Sequence, residues 1–214
     1  MKRIITALIL VLQSSGAIHA SESALDGLRS AVPPSALETV AAPEVKAPAP
    51  SDLSYKFDRV RNDIRRLNSD TAWLRSDLNR LESTARRIAQ TNTADPFFQG
   101  ELQRKAWELS RYANTAQSIG MDLRGLLGQA QKDQGLNSAA RAIETDANSL
   151  LSRAQFDIEN SAQRLEWAVR GIKPQLAGNA QWQAMDISRA ARDLAGKARD
   201  ISGDARTLVS NTQP

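Results

Sequence analysis

Between Ala184 and Leu208 two ladders interleave. Ala184, Ala191, Ala198 and Ala205 recur every seventh residue, and Ile187, Leu194, Ile201 and Leu208 follow each of them by three. A seven-residue repeat holds both ladders on one side of an α-helix. Alanine at one inward position and a branched aliphatic at the other specify a seam along which another helix approaches closely. A helix patterned this way must lie along partners.

The rest of the chain supplies them. Its 214 residues are 41% hydrophobic, 24% charged and only 5% aromatic, a balance that favours helices over strands. From residue 53 to 92 the apolar positions Phe57, Val60, Ile64, Leu67, Leu74, Leu78, Leu81, Ala85 and Ile88 alternate spacings of three and four, with Thr71 the one polar member. Asp95 and Pro96 then stop the chain and cap a second helix over 97–134. Its seam reads Leu102, Ala106, Leu109, Ala113, Ala116, Gly120, Leu123, Leu127 and Ala130, and Gly120, Gly125 and Gly128 predict a local bend. A third helix over 137–171 places Ala140, Ile143, Ala147, Leu150 and Ala154 inward, then Ile158, Ser161, Leu165, Ala168 and Ile172. The drift of its larger member after Leu150 is what a nearly straight helix would produce. The fourth helix runs over 180–212.

Each segment is about 50–60 Å long at 1.5 Å per residue. Near-equal helices on short connections predict an all-α fold, an antiparallel up-down-up-down four-helix bundle with alanine-rich heptad seams. The competing architecture is an elongated coiled-coil dimer. No internal sequence repeat is evident beyond the heptads.

Ahead of residue 51 the composition differs. Lys2 and Arg3, the apolar run from Ile4 to Leu12 and the small residues before Ser21 read as a signal peptide over 1–20. Residues 21–50 carry Pro33, Pro34, Pro43, Pro48 and Pro50 among alanines, the composition of a Pro/Ala-rich flexible linker, with 51–214 as the bundle. With no cysteine to carry a lipid anchor, the expected location is periplasmic or secreted. The formal charge of +4 falls to +2 once Lys2 and Arg3 are removed, too little and too interspersed to argue for nucleic acid.

The same inventory limits the chemistry. There is no cysteine, and the one histidine, His19, lies within the signal. Thiol catalysis, a Ser–His pair and the Glu-x-x-His metal sites of bundles therefore have no residues to use. The acidic ladders Asp63, Asp70, Asp77 and Asp186, Asp193, Asp200 read as solvated flanks paired with arginines. The expectation is a non-enzyme with no cofactor and no metal.

Two surfaces stand out. Phe97, Phe98, Trp107, Trp167 and Trp182 are expected at one end of the bundle, as an aromatic contact for a partner or ligand or as a hydrophobic plug. Ser188, Ala195 and Ser202, with Gly196 and Gly203, form a smooth strip on the fourth helix away from its alanine seam, a candidate helix–helix interface. The functional expectation is a scaffold, adaptor or chaperone-like envelope factor acting through a protein partner or self-association. Contact with a membrane surface has no positive support. The alternative is a small-ligand binding module using the aromatic end.

Overall fold

The computed structural model describes residues 52–130 and 134–213. The signal over 1–20 and the linker over 21–50 lie outside the described residues. Those described are all-helical, with no strand among them.

The elements are α1 Asp52–Asp70, α2 Leu74–Thr91, α3 Phe98–Gln129, a 3-10 turn Gln134–Leu136, α4 Asn137–Ser152, a π-helical stretch Arg153–Glu159, α5 Asn160–Arg170, the short α6 Pro174–Ala177, and α7 Ala180–Asn211. Local chemistry shapes two of the junctions. Asp95 accepts the Phe97 N–H at 3.0 Å through its carboxylate, ahead of α3. Gly178, between α6 and α7, holds φ +49°, and a Cβ there would come within 2.5 Å of the Gln99 amide nitrogen.

Cross-helix pairs fix direction and neighbours. Arg61–Asp146, Arg75–Asp157 and Arg164–Glu82 step upward together, so α1–α2 runs parallel to α4–α5. Arg124–Asp204 and the Asn211–Leu127 hydrogen bond do the same for α3 and α7. Arg59–Asp122 and Lys105–Asp77 run in opposite senses, as do Ser202–Asn148 and Ser188–Ala162, so α3 is antiparallel to α1–α2 and α7 is antiparallel to α4–α5. The closest packing is α3 on α7 and α7 on α4–α5, with α1–α2 on α4–α5 next. Packing is sparsest where α3 meets α1 and α2.

The core follows this register in layers. Leu74, Leu109 and Ile158 share a level with Ala191, and Leu81, Leu102 and Leu165 share one with Ala184, all 1% exposed or less. Each such layer sets three large side chains around one alanine of α7. The layer between them reverses the roles, with Leu78 and Ile187 large and Ala162 small. Alternation of this kind fills a narrow interior without voids. Fully burying one such leucine is worth about 1.5–3 kcal/mol.

Two helices depart from the expected regularity at one level. The first breaks at Thr71–Trp73, where Ala72 N bonds back three residues to Ser69 O, and Leu74 N three residues to Thr71 O. Buried Thr71 drives this: its hydroxyl donates to Leu67 O at 2.9 Å and Asn68 O at 3.2 Å, in competition with the backbone ladder. Opposite it, the third helix carries the π stretch. Phe57, Val60, Ile64, Leu67 and Thr71 are matched 83 residues on by Ala140, Ile143, Ala147, Leu150 and Ala154; Leu74, Leu78, Leu81, Ala85 and Ile88 are matched 84 residues on by Ile158, Ala162, Leu165, Val169 and Ile172. A π turn accommodates one extra residue. The drift after Leu150 thus comes from that insertion and not from a straight helix outrunning a heptad. Past it Val169 is buried in place of the expected Ala168, which is half-buried. Helical structure in α3 continues without interruption through Gly120, Gly125 and Gly128.

Candidate interaction surface

The aromatic residues do not form a plug. Phe98 is 3% exposed and belongs to the core, whereas Phe97 beside it is 77% exposed. Trp107, Trp167 and Trp182 are 65, 70 and 70% exposed, and Trp73, at the break between α1 and α2, is 76% exposed. Trp107 stands nine residues into α3, about 14 Å from its start. Phe97 lines a cleft with Arg87, Ile88 and Thr91, while Trp167 lines a separate one with Arg86, Arg164 and Gly171. Four of the five expected residues are therefore displayed outward at different places on the chain, and the fifth, Phe98, is withdrawn into the core. Two tryptophans carry a cation on the ring: Arg111 stands 5.3 Å from the Trp107 centroid and Arg170 stands 4.9 Å from that of Trp167.

The smooth strip lies elsewhere than expected. Ser188, Ala195 and Ser202 are 1–2% exposed, inside the contact between α7 and the third rod, the run of α4, π stretch and α5, as α1 and α2 make the first. The Ser188 hydroxyl donates to Ala162 O at 3.2 Å, and that of Ser202 to Asn148 Oδ1 at 2.7 Å. The helix that approaches these three residues belongs to this chain. Gly196 is half-buried and Gly203 exposed, and a Cβ at either meets nothing within 4 Å. Packing therefore does not require glycine at either position.

Sequence reasoning missed a charged cluster between α2 and α3. Lys105 is 7% exposed, and its Nζ lies 2.5 Å from Asp77 Oδ2 and 2.6 Å from Glu108 Oε2. Tyr112 donates its hydroxyl to Glu108 Oε1 at 3.1 Å. Burial is the largest single influence on Lys105 and draws its pKa down; the hydrogen bonds to Asp77 and Glu108, with their charges, outweigh it and hold the pKa above its ordinary value. Burial pushes the Tyr112 hydroxyl up as well, partly offset by Arg111. A signal was present: Tyr112, Ile119 and Leu126 form a second buried heptad on α3, and Lys105 is its fourth member. Periodicity alone does not turn a lysine inward, because a buried ammonium needs partners that only the fold brings.

Beyond this cluster α1 and α3 part into a cleft of about 410 Å³. Its floor is Leu67, Ile119 and Tyr112; its rims are Arg59, Asp63, Arg66 and Asp70 on α1, and Arg111, Thr115, Ser118 and Asp122 on α3. The rim carries three arginines against three aspartates. The pairs it makes within the chain are loose, Arg59 to Asp63 at 3.9 Å and to Asp122 at 3.7 Å. No helix among the described residues is long and apolar enough to cross a membrane. Comparison with family models, with curated proteins and with solved structures found no match.

Proposed function

We propose that this chain is an antiparallel up-down-up-down four-helix bundle, exported by its N-terminal signal, that acts without catalysis through contacts made by its outer faces. One observation carries the reading. All four tryptophans are at least 65% exposed, on a bundle whose interior is filled mainly by aliphatic side chains. Tryptophan is costly to leave in water and is enriched among the anchors of protein interfaces. The core has no need of these four, so their role lies in contact. The sequence also has no cysteine, and His19 is its one histidine, so thiol and imidazole chemistry have no residue in the bundle.

The small-ligand alternative draws less support. It needs an aromatic pocket, and Phe97 and Trp167 line separate clefts. The deciding experiment compares the wild-type chain with a variant in which Trp73, Trp107, Trp167 and Trp182 are all serine, using each to retain envelope proteins on a column. The reading expects an unchanged fold with loss of the retained proteins. Equal retention by both would overturn it.

A further inference from the structure

The charges around the α1–α3 cleft fall in an order that matches itself in reverse. Along α1 they read Arg59, Asp63, Arg66, Asp70, and along α3 Arg111, Thr115, Ser118, Asp122. If a second copy of α1 lies antiparallel over the first, Arg59 faces Asp70, Asp63 faces Arg66, and every pairing is attractive. The same operation on α3 sets Arg111 against Asp122 and Thr115 against Ser118.

These two arrangements are one. The centre of the α1 pattern lies between Ile64 and Arg65, and that of the α3 pattern between Ala116 and Gln117. Arg59 and Asp122, which touch across the cleft, stand equally far from these centres on helices running oppositely, so the centres are level. A single two-fold axis crossing the cleft perpendicular to both helices therefore satisfies both rims. It also brings Lys56, exposed on α1, to the exposed ring of Trp73. Among the described residues Arg66 and Asp70 make no ion pair within the chain, and α1 packs more sparsely on α3 than on α4.

We infer that the α1–α3 face is a homodimer interface, in which a second copy of this chain docks antiparallel across the cleft. The contact is isologous, the closed form that two-fold symmetry requires. Six ion pairs along two helices set register and exclude other alignments. A shift by one position on α1 brings like charges face to face, and electrostatic complementarity acts on partner choice more than on raw affinity. Exposed pairs are individually weak, so the association is salt-sensitive. The inference rests on the reading of the bundle as a contact module and names one partner and one face for it.

Sedimentation equilibrium of the full chain tests it. Dimers are expected at about 50 µM in low salt, dissociating as ionic strength rises. Asp63→Arg alone and Arg66→Asp alone each create like-charge pairs across the axis and should weaken association at least about tenfold. The double variant restores the Asp63–Arg66 pairing with its charges exchanged and should recover most of the loss. A monomeric wild type in low salt overturns the dimer, while leaving the tryptophans as contacts for a different protein. Undiminished association in the single variants, or no recovery in the double variant with helix content intact, overturns this face. Should a charge variant fold poorly, oxidising an equimolar mixture of Thr115→Cys and Ser118→Cys chains gives a second measure. The chain has no cysteine of its own, so a cross-linked heterodimer in excess over both homodimers is expected, and its absence counts against the geometry.

Discussion

Arg153 donates a guanidinium hydrogen bond to the main-chain carbonyl of Asn68. That carbonyl is the one the first rod leaves without its usual partner, because Ala72 N turns back to Ser69 O. Arg153 opens the π stretch of the neighbouring rod, so an irregularity on one helix satisfies the irregularity on the other. Removing the donor should be felt. Arg153→Met is expected to cost about 1–2 kcal/mol, a fall in Tm of roughly 2–8 °C for a chain of this size, read by thermal melting.

If the π stretch holds one inserted residue, it can be deleted. Loss of Gln155 should return the third rod to ordinary α-helix with its inward positions still aligned on both sides. Loss of Thr145, inside regular α4, would instead rotate every later inward residue by about 100°. The first deletion should keep a cooperative melt and the second should not. Equal damage from both would mean that the stretch does not absorb an insertion.

Lys105 makes a prediction with a definite sign in pH. Its pKa in the folded chain is raised above 10.5, so the stability it contributes is complete below that value and is lost as pH rises through the higher folded value. Wild type should therefore lose stability in strong alkali through a step that Lys105→Met lacks. Near neutrality Lys105→Ala should cost about 1–3 kcal/mol, since two carboxylates lose their shared donor. Urea titrations at pH 7 and above pH 10 separate these effects.

The small residues of α7 should divide into two classes. Gly196→Ala and Gly203→Ala add a Cβ that meets nothing and should each stabilise by about 0.5–1 kcal/mol through helix propensity. Ser188→Leu and Ser202→Leu force bulk between α7 and the third rod and should each cost about 1–3 kcal/mol. Comparing the four midpoints in urea shows whether the strip is packed inside the chain.

The tryptophans offer an optical check. With side chains at least 65% exposed, all four should be open to iodide, and replacing any one with serine should change stability by no more than about 0.5 kcal/mol in the isolated chain. A shielded fraction at micromolar concentration would point to Trp73 held against a second copy, and it should vanish in the Arg66→Asp variant.

Much of the fold was legible in the residues. Ala184 to Leu208 turned out as read, with every member of both ladders at most 1% exposed. The inward faces of α1 and α2 followed from spacing alone. Less of the site was legible. Phe97 and Phe98 are adjacent and alike, yet one is core and the other is exposed. The Ser188 strip and the Ala184 seam are both small residues at heptad spacing, and nothing local distinguishes a flank that meets a neighbouring helix from one that meets solvent.

The division has a physical origin. Periodicity is a property of a single helix, set by 3.6 residues per turn, so the sequence by itself determined where the helices lie and which stripe of each avoids water. Neighbour, register and level are properties of pairs. Only the tertiary structure decided that α7 packs between α3 and the third rod, that the third rod takes up an extra residue opposite Thr71, that Lys105 has two carboxylates to turn inward to, and that the charges of α1 and α3 lie on opposite rims of one cleft.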